Sequence, residues 1–173
     1  MWGKNKQING FTIVELLIVI VVIGILAAIT IVAYNGIQNR ATNQQTVASV
    51  RAYYSAIKAY GIDNGRYPSA NACLGSADFY TSNPCYIGNN TYAHNATLNN
   101  ALNAYMTSPP TLSSAKIIGS TYTGTGIFYY ISGQYVGFPI LGSTTCPAIA
   151  GATEQSKAIS GSDVYCRYDL PPL

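Results

Sequence analysis

The chain has 173 residues, of which 49% are hydrophobic and only 9% are charged, and its formal net charge is +3. This length predicts one globular domain in addition to a strongly apolar N-terminus, and the hydrophobic fraction is sufficient for a packed core. Because no run of Lys or Arg occurs beyond the N-terminus, the sequence gives no sign of a specific nucleic-acid partner bound through a basic patch.

The first predicted element is an apolar helix that begins near residue 11. Residues 16–39 carry no charge, and about 20 helical residues cross the ~30 Å hydrocarbon layer of a membrane. Lys4 and Lys6 precede this run, so the positive-inside rule keeps the N-terminus in the cytoplasm and sends the rest of the chain outside. An ordinary secretory signal has a shorter apolar region, and a plain anchor does not explain Glu15, because a carboxylate is costly in hydrocarbon.

The stretch GFTIVELLIVIVVIGILAAI, residues 10–29, resembles the N-terminal signal of type IV pilins: a short basic leader ends in Gly, a Phe follows, and a Glu stands fifth after the junction. The resemblance implies a leader at residues 1–10, cleavage after Gly10 by a prepilin peptidase, and N-methylation of Phe11. It also implies that Glu15 pairs with the N-terminal amine of a neighbouring subunit. Residues 11–35 would then anchor the precursor in the membrane and later form the filament core.

Beyond this segment, residues 36–173 are expected to form an extracytoplasmic globular domain. The helix continues there and becomes amphipathic, because Val47, Val50, Tyr54 and Ile57 recur at helical spacing. This narrow apolar stripe is expected to pack on a sheet.

Several glycines lie within the predicted helix and near its expected end. Gly24 and the Asn35-Gly36 pair are candidate points of weakness, and Gly61 together with the DNG turn at 63–65 is expected to end the helix. Residues 69–92 are interpreted as a loop, and residues 95–106 predict a short helix before two prolines.

The four cysteines are Cys73, Cys85, Cys146 and Cys166, and their spacing from one another and from His94 predicts no metal site. An even count in an exported chain indicates two disulfides, for which three pairings exist. The local pairs Cys73–Cys85 and Cys146–Cys166 are favoured because each closes a short loop. The segment between Cys146 and Cys166 also resembles the disulfide-bounded C-terminal loop of many pilins.

The last third of the chain is rich in β-branched and aromatic residues. Segments 116–124, 126–132, 134–141 and 162–170 predict an antiparallel sheet of three or four strands. The fold class is therefore α+β, with a long N-terminal helix, half transmembrane and half amphipathic, packed on that sheet.

The resemblance implies a structural subunit of a type IV pilus, a filament linked to cell adhesion and motility, rather than an enzyme. Its partners would be copies of itself, the prepilin peptidase, the pilus assembly platform and the membrane, with no cofactor. The precursor would lie in the cytoplasmic membrane with its C-terminus outside, and the assembled pilus would be extracellular. A minor pilin or type II secretion pseudopilin is the alternative, and an N-anchored extracytoplasmic enzyme or binding protein is a remote one, because no catalytic constellation is recognisable.

Overall fold

The computed structural model describes residues 11–82, 85–87, 90–112, 115–118 and 123–173. It divides into two compact units, one ending at Ile37 and the other comprising Gln38–Leu173. The leader predicted at residues 1–10, with Gly10 at its end, lies outside the described residues.

The described part of the chain contains three helices and nine strands. The helices are α1 (Ile13–Asn64), α2 (Ala77–Ser82) and α3 (Ala96–Asn103). The strands are β1 (Ala72–Leu74), β2 (Cys85–Ile87), β3 (Asn90–Tyr92), β4 (Lys116–Ile118), β5 (Thr123–Thr125), β6 (Ile127–Tyr130), β7 (Tyr135–Ile140), β8 (Thr153–Ser160) and β9 (Asp163–Asp169).

Within the second unit, α1 buries one face in the core. Val50, Tyr54 and Ile57 of the predicted stripe are buried, and Val47 is partly buried against the same cluster, so the predicted stripe is confirmed. Tyr53 is buried as well, which makes the buried face wider than the sequence pattern indicated. A helix that packs on a sheet needs such a broad apolar face, since an a/d-type stripe alone is typical of coiled coils.

The helix continues past Gly61 and ends at Asn64, because the two glycines near its end have different roles. A Cβ at Gly61 would lie 2.7 Å from a ring carbon of Tyr67 and 2.9 Å from a methyl carbon of Leu173, so Gly61 permits close packing inside the helix. Gly65 has a φ of 65°, the left-handed conformation that commonly terminates helices. The expectation that Gly61 helps to end α1 was therefore wrong. Gly24 and Gly36 also lie within α1.

The main sheet has five antiparallel strands in the order β1-β6-β7-β9-β8. The predicted segments 126–132, 134–141 and 162–170 supply β6, β7 and β9. Phe138 of β7 stands opposite Cys166 of β9 near the middle of the sheet. The architecture is α+β as predicted, with one strand more in this sheet than the three or four expected.

The strand β8 lies at the sheet edge, and its composition hid it from sequence analysis. Six of its eight residues, TEQSKAIS, are polar, and five of the eight are exposed. A register shift between Glu154 and Ser156 marks a bulge, and Lys157 follows it on the strand. Bulges and charged side chains are the usual protection of an edge strand against unwanted pairing.

A second sheet has four short antiparallel strands in the order β3-β2-β5-β4. Its strand β4 and the first two residues of β5 come from segment 116–124, which was predicted as part of the main sheet. Its strands β2 and β3, together with β1 and α2, come from residues 69–92, so the interpretation of that region as a loop was wrong. Each of these strands has three residues, too few to produce a recognisable alternating pattern.

The main sheet packs apolar side chains on both faces. Tyr129, Val136, Phe138 and Val164 join the buried residues of α1 in the larger core cluster. On the opposite face, a smaller cluster is built around Phe128 and Tyr165, with Cys73 and Cys85. Within the second unit, the main sheet thus has the part of α1 beyond Gln38 on one face and the small cluster on the other.

Candidate functional site

The first candidate region is the N-terminal part of α1, whose apolar surface has no cover within the described chain. Every large hydrophobic side chain between Ile13 and Ile31 is at least 47% exposed, and Phe11 is 85% exposed. The helix is long and apolar enough to cross a membrane by length and composition. Because a continuous apolar surface of this size is unfavourable in water, this segment requires lipid or other helices around it.

At the start of α1, Thr12 and Glu15 form a reciprocal pair of hydrogen bonds. The backbone N–H of Thr12 donates to Oε2 of Glu15 at 2.8 Å, and the N–H of Glu15 donates to Oγ1 of Thr12 at 3.2 Å. The Thr12 hydroxyl also donates to Oε2 of Glu15 at 2.8 Å. This arrangement is a capping box, which satisfies two backbone donors that a helix N-terminus otherwise leaves free.

The capping box leaves part of the Glu15 carboxylate available. All the hydrogen bonds recorded for this group go to Oε2, so Oε1 has no partner among the described residues. A carboxylate oxygen at the positive end of a helix dipole is stabilised there and can still accept a bond from a cation. The geometry therefore allows Glu15 to cap its own helix and to meet a positive group from outside at the same time.

Sequence analysis recognised Glu15 but missed Thr12. The pattern that reveals it is Thr-x-x-Glu immediately before an apolar run, which is the sequence signature of a capping box. Of the two predicted processing positions, Phe11 is exposed, and Gly10 lies outside the described residues.

The four cysteines form the two local disulfides, Cys73–Cys85 and Cys146–Cys166. The first joins β1 of the main sheet to β2 of the second sheet, so it links the two sheets covalently. The second joins the segment after β7 to β9 in the middle of the main sheet. Each bridge closes a short chain segment, of 12 and 20 residues respectively.

The segment between Cys146 and Cys166 is fastened to α1 and β9 by side chains that bond to its carbonyls. The Tyr54 hydroxyl shares its single proton between two carbonyl oxygens, that of Gly151 in this segment at 3.1 Å and that of Asp169 at the end of β9 at 2.8 Å. Arg51 donates to the carbonyl of Ala148 at 3.2 Å, and the Tyr168 hydroxyl donates to the carbonyl of Pro147. Burial raises the pKa of Tyr54 to about 12, so its hydroxyl stays protonated as a donor. This segment contains β8 and the first part of β9, of which the sequence predicted only the second strand, at 162–170.

The remaining candidate residue, His94, lies beside the main sheet with its Nε2 at 2.8 Å from the carbonyl oxygen of Gly75. A carbonyl can only accept, so Nε2 carries the proton and Nδ1 is left as an acceptor in the neutral ring. Within the described ranges, no group of three or more His, Cys, Asp or Glu side chains is close enough to hold a metal ion. His94 therefore has a structural contact rather than a ligand set.

Comparisons with known proteins cover only part of the chain: the family model matches the N-terminal segment, and the similar proteins align with less than half of the chain. A family model described as the prokaryotic N-terminal methylation motif matches residues 5–31. The type II secretion system core protein G of Klebsiella michiganensis is 40% identical over 71 residues, which is 41% of this chain and 50% of that protein. No solved structure gives a significant match.

Pilins are similar to the same extent. The fimbrial protein of Neisseria meningitidis is 38% identical over 73 residues, 42% of this chain and 43% of that protein, and the type IV major pilin protein PilE1 of Neisseria gonorrhoeae is 37% identical over 73 residues, 42% of this chain and 44% of that protein. The chain thus spans about half, or slightly less, of the curated relatives it matches. Together, the methylation motif and both kinds of relative support the assignment of this chain to the type IV pilin superfamily.

Proposed function

We propose that this chain is the structural subunit of a type IV pilus. It is made with a leader at residues 1–10, which prepilin peptidase removes after Gly10 before Phe11 is N-methylated. Residues 11–35 then anchor the precursor in the cytoplasmic membrane, and residues 36–173 form the globular domain outside. Polymerisation through the N-terminal helix, on the pilus assembly platform, produces an extracellular filament.

The observation that carries this proposal is the uncovered apolar surface of α1 between Ile13 and Ile31. Burying one Val, Leu or Ile side chain stabilises an assembly by roughly 1.5–3 kcal/mol. A bundle of such helices, which buries many of these side chains, therefore has a large favourable free energy of association. The same surface is satisfied by lipid before assembly, which gives the segment two compatible environments.

Apolar cohesion alone does not fix how far one helix slides along its neighbour, and Glu15 supplies that register. Cleavage after Gly10 creates an amine at Phe11, and the unpartnered Oε1 of Glu15 is a suitable acceptor for the amine of a neighbouring copy. Two opposite charges buried in an apolar bundle are costly unless they meet, so misaligned subunits are disfavoured.

The proposed location rests on the charges and the cysteines. Lys4 and Lys6 precede the apolar segment, which favours a cytoplasmic N-terminus and an external C-terminus. The two disulfides fit an oxidising compartment. The partners are copies of this chain, the peptidase, the assembly platform and the membrane, and the role is structural rather than enzymatic.

The second candidate is a type II secretion pseudopilin or a minor pilin, and the observation that favours it is the identity to proteins named type II secretion system core protein G. The two candidates differ in abundance and location. A pilus subunit is the principal protein of sheared surface filaments, whereas a minor pilin is scarce there and a pseudopilin stays with the envelope.

The experiment is electron microscopy of sheared filaments from the native host, with mass spectrometry of their principal subunit. We expect this chain as that subunit, beginning at Phe11 and carrying one extra methyl group on its amine. A mature chain that begins beyond Ala28 would contradict the pilin proposal, because it would have lost the assembly helix. Correct processing without surface filaments would favour the pseudopilin instead.

A further inference from the structure

A groove of about 550 Å³ lies in the second unit, between α3, the start of α2 and the segment around Pro109-Pro110. This volume is within the ~300–1,000 Å³ of typical small-molecule sites. None of the described residues that line the groove belongs to the apolar part of α1 before Gln38.

At the base of this groove lies Tyr53, which is 1% exposed. Its hydroxyl makes no hydrogen bond with any described residue, whereas the neighbouring Tyr54 hydroxyl shares its proton between two carbonyl oxygens. Burial raises the pKa of Tyr53 to about 12, so the hydroxyl keeps its proton and can both donate and accept. Because Tyr53 lines the groove and its hydroxyl has no partner among the described residues, that hydroxyl is available to a ligand.

Other neutral hydrogen-bonding groups surround Tyr53 along the groove. Asn100 and Asn103 lie one turn apart on α3, and each side-chain amide offers donors and an acceptor. His94 also lines the groove, and its Nδ1 remains an acceptor because Nε2 donates to Gly75. The Asn99 side chain, by contrast, is already hydrogen-bonded to the backbone of Cys73, Gly75 and Asn95, so it connects α3 to β1 and the residue after it.

The charge and shape of the lining select the class of ligand. Among the described residues that line the groove, none is charged, which disfavours phosphates, carboxylates and amines. Phe79, Pro109 and Pro110 provide apolar surface beside the amides and hydroxyls. Apolar C–H faces bordered by many hydroxyls are the chemistry of a sugar ring, and amide groups can donate to one hydroxyl while accepting from the next. We propose that this groove binds a neutral saccharide, with the Tyr53 hydroxyl as a hydrogen-bond partner at its base.

The test uses the isotope-labelled full chain in micelles of a detergent whose headgroup contains no sugar. Methyl glycosides of glucose, galactose, mannose and N-acetylglucosamine are titrated separately while the side-chain amide signals of Asn100 and Asn103 are recorded by NMR. We expect at least one glycoside to shift these signals in a saturable way. Tyr53→Phe should weaken its binding about 3- to 10-fold, the effect of one neutral hydrogen bond, without lowering the melting temperature.

The matched control is Tyr54→Phe, the same change one residue along α1. It should lower the melting temperature, because the Gly151 and Asp169 carbonyls lose the donor that they share, and leave the affinity for the glycoside unchanged. Asn103→Ala, at a half-buried surface position, is a second binding variant and should weaken the glycoside without affecting folding. The proposal is overturned if no glycoside shifts the groove signals, if an anionic or peptide probe shifts them instead, or if Tyr53→Phe and Asn103→Ala both bind like the parent.

Discussion

The helix α1 is continuous, but the part before Ile31 and the part beyond Gln38 are stabilised in different ways. Between Ile13 and Ile31 all of its large apolar side chains are exposed, whereas beyond Gln38 the helix buries Val50, Tyr53, Tyr54 and Ile57 in its own domain. The second part is stabilised by the chain to which it belongs. The first part is stabilised only by what surrounds it, so mutations in the two parts should be visible in different experiments.

The largest expected effect is on assembly, at Glu15. Glu15→Val should leave membrane insertion and cleavage after Gly10 intact, because it makes the segment more apolar, but filament yield should fall to a small fraction of the parent. The measurement compares the amounts of processed protein in the membrane and in sheared filaments. The disulfides and protease resistance of residues 38–173 should not change, since distant sites are usually independent.

A matched variant separates the two roles of Glu15. Glu15→Gln retains an oxygen that can accept from the Thr12 backbone, as capping boxes with Gln do, but removes the charge. Filament loss in both variants is expected. Normal filaments built from the Gln protein would show that the cap, rather than the charge pair, is what assembly needs.

The next effect is on folding, where identical substitutions in the two parts of α1 should differ. Ile57 is 0% exposed, so Ile57→Ala should lower the free energy of unfolding of the globular domain by about 2–5 kcal/mol. Ile20 is 63% exposed, and Ile20→Ala should change the same quantity by no more than about 0.5 kcal/mol. Urea unfolding of the full chain in micelles, followed by tyrosine fluorescence, measures both. Equal losses would contradict the division of α1 into an unsupported and a supported part.

A third effect concerns the disulfides, which occur only in the globular part. Replacing Cys146 and Cys166 by Ala should cost roughly 3 kcal/mol of unfolding free energy through the loop entropy of the unfolded chain. The same change at Cys73 and Cys85 should cost about 0.5 kcal/mol less, because that loop is shorter. Non-reducing peptide maps and urea titrations of each double variant test this. A peptide linking Cys73 to Cys166 would overturn both the pairing and the ranking.

The smallest effect at neutral pH is a dependence on alkaline pH confined to the globular part. Burial raises the pKa of Tyr54 and of Tyr129 to about 12, against about 10 in the unfolded chain. A raised pKa means that the folded state prefers the protonated hydroxyl, so this stability is complete below pH 10 and is lost as pH rises from 10 to 12. Unfolding free energy should be level from pH 7 to about 10 and then fall. A steady decline that begins near pH 8 would show that other groups control it.

Sequence patterns were informative where one physical term dominates over many residues. The 24 residues 16–39 carry no charge, and this predicted a helix in an apolar environment. The helical spacing of Val50, Tyr54 and Ile57 identified the buried face of α1. The strands β6, β7 and β9 were found because each combines β-branched and aromatic residues over four to seven positions. The capping box at Thr12 was missed, although its spacing of three residues in the chain makes it recognisable from sequence.

Other features could not be predicted because they depend on residues that are distant in sequence. The strand β1 is three residues long and pairs with β6 more than fifty residues away. The strand β8 was missed for a different reason: its partner β9 follows after only two residues, but β8 is mostly polar and lacks the pattern of a strand. Gly61 was taken for a helix end because the contacts of Tyr67 and Leu173 that require a glycine there arise only on folding. For the same reason, the sequence did not show that the Tyr54 hydroxyl bonds to carbonyl oxygens whereas the adjacent Tyr53 lines the groove.

By itself, the sequence determined the apolar helix, the acidic residue at its start, the α+β class and the favoured cysteine pairs, because each follows from local composition or from short separations along the chain. Only the tertiary structure decided the five-stranded order, the second sheet, the anchoring of the segment after Cys146, and the groove above Tyr53. These features depend on many weak contacts between segments that are distant in sequence. The composition of a single segment therefore does not reveal them.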